Sequence, residues 1–438
     1  MTLWSLLLAA VLQTEAVPLP HVVERDGLRL SADVALPLER LADQVVRDVA
    51  RLEASFSAFP VARNLPALEH LYFLADAASV DPLLEAHGAA PTAWAGRART
   101  DVGIGAIFVV GDARRDHRRI LAHELAHAVL APKTRTRGTF VEEGLAEVLS
   151  DWLVFGGGGR FGDVRIDSLT RMRDAARALR EHRPKLASLV RLTDEEFHRA
   201  DRRDDHYDLA WSFVHFLLTT DDPALAGRFG KFIGTLARGK PRDAEDDWRR
   251  LAEVVDRKKL ERAWRRAALE GPADWAPRTA SWFAVEDRLA MFMSGTGSGI
   301  LLRDDGRTTP RATLRFGLAT TLPESGLQAG VVFGHRGPDD YVIGALDRGA
   351  TRFGLLRREG GNFGRWETFS LPPGAPEFEV RVDRGEVRLL RGDDELARHA
   401  FAPAALRGNV GLWAERSFGP EEPWVPGEVV FRDVRITR

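Results

Sequence analysis

The sequence contains no cysteine, only three tyrosines and almost no net charge over its 438 residues. Without cysteine, the protein can form neither a disulfide bond nor a thiolate metal site, so any metal ion must be bound by His, Asp or Glu. The formal net charge of −2 provides no general attraction to nucleic acid or to acidic membranes. The composition therefore argues against a nucleic-acid-binding protein, and it limits any tyrosine-dependent chemistry to Tyr72, Tyr207 and Tyr341.

Long apolar runs are also absent. The N-terminal run from Leu3 to Leu12 is much shorter than the roughly 20 residues that a transmembrane helix needs. It is typical of a signal-peptide core, and the Thr-Glu-Ala at 14–16 fits a cleavage site, so we predict a signal peptide at 1–16. No Lys or Arg precedes the run, which leaves an N-terminal core helix or an uncleaved anchor as alternatives. We expect export to the periplasm, the cell surface or the medium, with no transmembrane span beyond this segment.

The remaining chain is too long for one ordinary domain. Residues 20–112 mix strand and helix patterns and are predicted to form an α/β part, whereas residues 113–275 repeat apolar residues at helical spacing. Residues 280–438 contain short alternating runs broken by Gly, Pro and Asp, with a hairpin pattern at "VDRGEVRLL". This pattern predicts a β-sandwich or jelly roll. The expected fold class is an α+β domain, with a small sheet and a mostly helical second half, followed by an all-β jelly-roll sandwich.

The strongest chemical motif is "HELAH" at 123–127. His123 and His127 are four residues apart, so on a helix both imidazoles share one face and can bind one zinc ion. Glu124 beside them can take the proton of a zinc-activated water. The neighbouring residues are apolar, which predicts a core-facing helix that ends at Pro132. A solvated helix with ordinary surface His and Glu side chains is the alternative, but a buried His pair needs partners or a metal.

A third ligand is expected from the next helix, in "TFVEEGLAEVLSDW". Thr139 and Glu142 match a capping box, which predicts that the helix starts at Thr139 and that Glu142 has a structural role. Glu143 is then free to bind the metal. Glu147 lies four residues later on the same face and is predicted to accept a hydrogen bond from a ligand imidazole. In the alternative interpretation, all three glutamates are solvated helix charges.

Together, "HELAH" and "EEGLAE" resemble the motifs of the gluzincin metallopeptidases, in particular the bacterial peptidase-MA-like proteins with a second motif like W-x-x-E-G-x-A-E. The resemblance covers roughly residues 100–240 and implies a zincin-like metallopeptidase domain. Two departures limit inference about the substrate: only 15 residues separate His127 from Glu143, and Phe140 stands where Trp is common. The resemblance implies a zinc site with ligands His123, His127 and Glu143 and with the general base Glu124.

The same resemblance implies a Tyr or His from a later helix near the scissile carbonyl. Tyr207 lies in "DDHYDLAWSFVHFLL", which is similar to the later Y-x-x-x-W-x-x-x-x-F-L helix of the family. We therefore predict that Tyr207 is catalytic and hydrogen-bonds the developing oxyanion. Alternatively, Tyr207 only packs on Trp211, or His206 takes this role. His215 is expected to be a structural helix residue.

Two further features near the motif have more than one interpretation. The strand candidate "GIGAIFVVG" is either an edge strand that pairs with an extended substrate or a fully buried strand. The basic cluster at the start of the "HELAH" helix is either a site for a substrate carboxylate or a solvated face. Its members are Arg114, Arg115, Arg118 and Arg119.

The last part of the sequence resembles the concanavalin-A-like jelly rolls, through "AGVVFGHRGPDDYVIGAL" and "VVFRDVRI". Such domains often bind glycans, so a glycan is a candidate ligand. Trp366 and Trp413 are the candidates for stacking on a sugar, with core packing as the alternative for each.

These patterns predict a zinc metallopeptidase that acts on a peptide or protein substrate. The alternative function is a non-catalytic glycan- or cell-wall-binding protein that uses a zincin scaffold with a structural zinc. Hydrolysis of a non-peptide amide at the same site is a third hypothesis.

Overall fold

The fold was analysed in a computed structural model. The predicted signal peptide at 1–16 lies outside the described residues. None of the helices in the described part of the chain has both the length and the apolar character of a bilayer span. The structure describes residues 19–33, 35–57, 68–87, 98–101, 105–110, 117–130, 138–156, 161, 165–223, 225, 245, 248–249, 251, 256–270, 275–279, 281–285, 288–293, 297–303, 311–320, 327–347, 350–374, 377–416 and 427–437.

The N-terminal part forms a five-stranded mixed sheet with the order β1-β2-β3-β5-β4. The three inner strands are parallel, and the two outer strands pair antiparallel to their neighbours. Both faces of the inner strands are buried, because helices pack against each face of the sheet. The strands are β1 His21–Arg25, β2 Leu28–Ala32, β3 His70–Leu74, β4 Ala98–Asp101 and β5 Ala106–Val110, and the helices are α1 Leu38–Ser55 and α2 Val80–Ala86.

A helical region follows, in which α3 packs against α4, and α4 packs against α8. The approach of α4 to α8 is close, because a Cβ atom added at Gly144 would lie 2.5 Å from the Ala210 carbonyl oxygen. The helices are α3 His117–Leu130, α4 Thr139–Phe155, α5 Leu169–His182, α6 Leu186–Val190, α7 Asp194–Phe197, α8 Arg203–Thr219 and α9 Arg257–Glu270.

The C-terminal part is an antiparallel β-sandwich of two eight-stranded sheets. One sheet has the order β15-β14-β13-β12-β20-β10-β7, with β16 paired to β14, and the other has the order β19-β18-β17-β11-β21-β9-β8-β6. The strands are β6 Ile166–Ser168, β7 Trp275–Thr279, β8 Ser281–Val285, β9 Arg288–Met293, β10 Gly297–Arg303, β11 Arg311–Thr320, β12 Leu327–Gly337, β13 Asp340–Asp347, β14 Arg352–Glu359, β15 Asn362–Phe363, β16 Glu367–Ser370, β17 Glu377–Asp383, β18 Glu386–Arg391, β19 Asp394–Ala400, β20 Asn409–Arg416 and β21 Gly427–Thr437.

The hairpin predicted at "VDRGEVRLL" is confirmed as β17 and β18. Asp383 pairs with Glu386 across the turn. The two residues between them, Arg384 and Gly385, have φ values of 47° and 102°, as a tight two-residue hairpin turn requires. Alternate side chains of the two strands then point into the sandwich core.

Strand β6 comes from the helical region but pairs with β8 of the sandwich. The sandwich itself begins at β7, which lies at the end of the range predicted to be helical. The two parts of the chain are therefore joined by a strand pairing as well as by the polypeptide that connects them.

Candidate metal centre

The candidate site lies between α3 and α4, where polar side chains at four-residue spacing face each other. His127 lies opposite Glu143, His123 opposite Glu143 and Glu147, and Arg119 opposite Glu147 and Asp151. From His127 back to Arg119, the residue numbers on α3 decrease while those of the contacting residues on α4 increase from 143 to 151. The two helices therefore run antiparallel. We call this set the α3–α4 ladder: Arg119, His123 and His127 on α3, and Glu143, Glu147 and Asp151 on α4.

Three ladder side chains converge on one point. The Nε2 atoms of His123 and His127 are 3.0 Å apart, and Glu143 Oε2 lies 3.1 Å from the first and 3.5 Å from the second. A tetrahedral zinc ion with bonds of about 2.0–2.1 Å separates its ligand atoms by roughly 3.3 Å. Glu143 Oε2 is buried and accepts no hydrogen bond of proper geometry. The residue types, their spacing and this unsatisfied oxygen therefore fit a zinc ion held by three protein ligands.

The charges around this point also fit a cation. Burial lowers the pKa of His123 and His127, but the nearby glutamates outweigh burial and raise both pKa values above the ordinary one. Burial raises the pKa of Glu143, but the two imidazoles outweigh it and hold that pKa far below its usual range. The cluster thus keeps positive charge beside Glu143, as protons on the imidazoles or as a bound metal ion.

Glu124 lies beside the ligands on α3 and is buried. The Thr100 hydroxyl donates a hydrogen bond of 2.6 Å to its Oε2. Thr100 belongs to β4, the last strand of the sheet at this side. One carboxylate oxygen of Glu124 is therefore held in place by the edge strand, and the other is left for a substrate or a water.

Tyr207 lies at the start of α8, with its ring centre 6.2 Å from that of His123. Burial, and then the charge of Glu143, raise the pKa of Tyr207, so its hydroxyl stays protonated and can donate. That hydroxyl is 3.2 Å from His198 Nε2. His198 Nδ1 lies 2.9 Å from the Asp194 carbonyl oxygen and must donate to it, so the tautomer with its proton on Nδ1 leaves Nε2 as an acceptor for the Tyr207 hydroxyl.

His198 is a further residue of this site, and none of the sequence motifs predicted it. Its Nε2 lies 3.8 Å from Glu143 Oε1, so it borders the metal centre. It follows directly after α7, whose start is stabilised by a capping box between Thr193 and Glu196. The Thr-x-x-Glu pattern of this capping box is the sequence feature from which a fixed position for His198 could have been predicted.

Glu147 connects the metal centre to a buried charge network. Its Oε1 lies 3.5 Å from His123 Nδ1, without a hydrogen bond of proper geometry between them, so the predicted hydrogen bond stays a prediction; its Oε2 is bound by Arg171. Arg171 also lies 3.4 Å from Asp208. Burial raises the pKa of Asp208 to about 7, although Arg171 opposes this shift.

The predicted capping box at Thr139 is wrong. The helix does start at Thr139, but the N-cap is Gly138, without a side-chain cap. The Thr139 hydroxyl lies 3.5 Å from an Asp194 carboxylate oxygen. Glu142 instead points to His127, with its Oε1 3.5 Å from Nδ1. Glu142 is therefore placed to orient His127 as Glu147 is placed to orient His123.

The structure decides between the alternatives for two other features. The strand candidate in "GIGAIFVVG" is β5, which is fully buried between β3 and β4, so the buried alternative is confirmed and the edge strand is β4. Arg119 is not on a solvated face, because its guanidinium group lies 3.0 Å from Asp151 inside the protein. Arg114 and Arg115 lie outside the described residues, as does the side chain of Arg118.

The remaining candidates lie away from the metal centre. His206 Nδ1 binds the Phe197 carbonyl oxygen, and buried His215 stacks on Trp211 and contacts Asp167. In the sandwich, Trp413 is only 1% exposed and belongs to a buried cluster, so it cannot stack on a sugar. Trp366 is half-buried and packs over Gly354.

Comparisons with known proteins were made for the sequence and for the fold. A protein-family model described as "Protein of unknown function (DUF1570)" matches residues 120–243, which is less than a third of the chain. This range contains the three candidate metal ligands, His198 and Tyr207, but the description assigns no activity. Among curated proteins, none matches the sequence at a significant level.

Three similar solved structures illustrate the fold comparison. The carbohydrate-binding module CBM66 from Bacillus subtilis has 12% identity and a TM-score of 0.30, over 38% of this chain and 96% of its own. The catalytic domain of an endo-1,3-beta-glucanase (laminarinase) from Thermotoga petrophila has 12% identity and a TM-score of 0.29, over 38% and 91%. Sheep galectin-11 has 14% identity and a TM-score of 0.22, over 33% and 99%.

Proposed function

We propose that the protein is a zinc-dependent peptidase whose metal is held by His123, His127 and Glu143. The observation that carries this proposal is the convergence of these three side chains between α3 and α4, with Glu124 on the same turn of α3. A purely structural metal site would not require a buried carboxylate beside the ligands, because such a group must be desolvated at a cost.

The chemistry follows from the residues around the ligands. A zinc ion bound there would act as a Lewis acid and lower the pKa of a water to about 7. Glu124 accepts a proton from the attacking water, because Thr100 holds only one of its two carboxylate oxygens. The water oxygen bonds to the peptide carbon, the C–N bond breaks, and Glu124 passes the proton to the leaving nitrogen.

Tyr207 is placed to stabilise the charge that develops on the carbonyl oxygen. Its raised pKa keeps the hydroxyl protonated, and a protonated hydroxyl can donate to an oxyanion. His198 accepts from this hydroxyl when no substrate is bound, and it keeps the hydroxyl near Glu143. We expect Tyr207 to exchange this partner for the substrate during the reaction.

A peptide is the substrate class that the neighbouring sheet favours. β4 is the last strand of the described five-stranded sheet, and its Thr100 contacts Glu124 directly. An extended peptide that pairs with the free side of β4 would pass beside Glu124. An extended chain that adds to a strand edge must offer regularly spaced backbone N–H and C=O groups, as a peptide does.

The test combines metal analysis with peptide cleavage. Wild-type protein should bind one zinc and cleave members of a broad peptide library, whereas Glu124→Gln should retain zinc and lose cleavage by about a hundredfold or more. The matched pair Glu143→Gln and Glu142→Gln separates the two glutamates, because only the first should abolish zinc binding at micromolar concentration. Cleavage by Glu124→Gln at the wild-type rate would refute the proposal.

A second candidate function is binding of a glycan by the β-sandwich, with any bound zinc only structural. Two of the similar structures are described as a carbohydrate-binding module and a glucanase, and none of the three as a peptidase. A glycan is therefore the ligand class to test for the β-sandwich. Retardation of the protein in gels that contain soluble polysaccharides, together with no peptide cleavage by the zinc-loaded protein, would favour this candidate.

A further inference from the structure

Strand β8 contributes side chains to two separate hydrophobic cores. Trp282 points into the core between the two sandwich sheets, whereas Phe283 and Val285 belong to the core of the helical region. This division follows from the alternation of side chains along a strand. Its pairing partner β6 is a segment of the helical region and lies at the edge of the same sheet. One face of β8 therefore belongs to the sandwich core, and the other face belongs to the core of the region that contains the candidate metal ligands.

On the face towards the helices, the largest side chain of β8 is Phe283, which is fully buried. Its ring centre lies 4.0 Å from that of Phe155 at the end of α4. On the other helix, the guanidinium carbon of Arg119 lies over the same ring, 5.7 Å from its centre. Phe283 thus contacts both helices of the α3–α4 ladder at the ladder's far end.

Contacts continue from Arg119 to a metal ligand. The Arg119 guanidinium lies 3.0 Å from Asp151 and 3.6 Å from Glu147. Glu147 in turn lies 3.5 Å from His123 Nδ1. This contact is electrostatic and not a hydrogen bond of proper geometry; a carboxylate on this side of a ligand histidine favours the tautomer with a proton on Nδ1, which leaves Nε2 for the metal.

We infer that Phe283 is a positioning residue for the metal centre, which acts on His123 through Arg119 and Glu147. This inference rests on the proposed zinc site. It makes the β-sandwich a structural part of that site, because the contact to Arg119 comes from a sandwich strand. Arg171 binds Glu147 independently, so loss of Phe283 should weaken the orientation of His123 without abolishing it.

The experiment compares two Phe→Leu changes of equal burial. Phe283→Leu removes the aromatic face beneath Arg119, whereas Phe431→Leu removes a fully buried ring that packs against Trp282 on the sandwich face of β8, the face opposite to Phe283. Zinc affinity is measured by competition with a chromophoric chelator, and unfolding by thermal denaturation. Phe283→Leu should weaken zinc binding by about threefold to tenfold, the range of one partly desolvated cation–π contact. Phe431→Leu should lower the melting temperature but change zinc affinity less than about twofold.

A double-mutant cycle tests the route through Arg119. Arg119→Lys keeps the charge but loses the planar group that stacks on the ring. Phe283→Leu should weaken zinc binding less in the Arg119→Lys background than in the wild type. Equal zinc affinity in Phe283→Leu and Phe431→Leu, with wild-type zinc binding intact, would overturn the inference alone.

If wild-type protein binds no zinc, the proposed function is refuted. The positioning role of Phe283 can still be tested then, by a measurement on the metal-free protein. In the zinc-free protein, the imidazole NMR signals of His123 should shift in Phe283→Leu and stay in place in Phe431→Leu. Unchanged His123 signals in both variants would refute the positioning role.

In the metal-loaded protein, the d–d absorption spectrum of bound Co²⁺ reports the ligand geometry. This spectrum should change in Phe283→Leu and should match the wild-type spectrum in Phe431→Leu.

Discussion

Zinc binding at the α3–α4 ladder should release protons, and the release should be large near neutral pH. Both histidines have raised pKa values in the metal-free protein, because Glu147 and Glu143 act on His123, and Glu143 and Glu142 act on His127. A zinc ligand must be the neutral imidazole, so each histidine loses its proton on binding. Below both pKa values the apparent zinc affinity should rise by up to about 100-fold per pH unit, since two protons are displaced. Above them it should become independent of pH.

Proton release can be counted directly. Isothermal titration calorimetry in two buffers with different heats of ionisation gives the number of protons released per zinc, and chelator competition between pH 5.5 and 8.5 gives the slope. We expect more than one proton per zinc at pH 6, because the pKa values of both histidines are raised. Glu124→Gln is the control and should release the same number, because Glu124 is not a ligand. A zinc affinity that does not change with pH in the acidic range would refute assignment of both histidines as ligands.

The same shifts determine how stability depends on pH. A histidine whose pKa is raised in the folded protein stabilises the fold fully below its unfolded pKa, about 6.5. This contribution is lost as the pH rises through the raised folded value. The metal-free protein should therefore lose stability across this range. Zinc in thousandfold excess over its dissociation constant should add about 4 kcal/mol to the free energy of unfolding. At one fixed zinc concentration its effect on the melting temperature should grow with pH, because the dissociation constant falls as the histidines lose their protons.

Three further predictions concern single residues. Thr100→Val should retain zinc but lower the cleavage rate, because Glu124 loses the 2.6 Å hydrogen bond that holds it; an unchanged rate in peptide assays would contradict this role. Gly144→Ala should destabilise the protein by about 1–3 kcal/mol, because its Cβ would lie 2.5 Å from the Ala210 carbonyl oxygen; urea denaturation measures this. Asp208→Asn should stabilise the protein at pH 8 by a few kcal/mol, about 4 at most, and by little near pH 4. The folded pKa of Asp208 is about 7 and the unfolded one about 3.9, so its destabilising effect grows between these values; equal stability gains at pH 4 and 8 would refute this origin.

Much of the site could be predicted because it depends on helical spacing. His123 and His127 share a face of α3, and Glu143 and Glu147 share a face of α4, whatever the rest of the fold does. Arg119 lies four residues before His123, and Asp151 lies four residues after Glu147. Helical spacing therefore predicts that both belong to the same faces, so all six ladder residues could have been predicted. Arg119 was instead interpreted through its arginine neighbours, because a cluster of like charges is usually solvated.

The error at Thr139 has a different cause. A Thr followed three residues later by Glu matches a capping box, but the pattern cannot distinguish the N-cap from the first helical residue. The structure shifts the cap by one residue, to Gly138. The prediction that Glu143 is the third ligand is unchanged, because Glu143 faces α3 in either case. The role of Glu142 did change, from capping the helix to a contact with His127.

Contacts between the two halves of the chain could not be predicted from the sequence. Whether Phe283 faces the helices or the sandwich core depends on the register of β8, and a shift by one residue would exchange it with Trp282. Both side chains are large and apolar, so the alternating pattern permits either choice. β8 pairs with the adjacent β9 on one side and, on the other, with β6, three residues that come from more than a hundred positions earlier in the chain. A strand as short as β6 carries too little pattern to be recognised, yet its pairing with β8 joins the sandwich to the helical region, where Phe283 lies against Arg119 near the candidate metal centre.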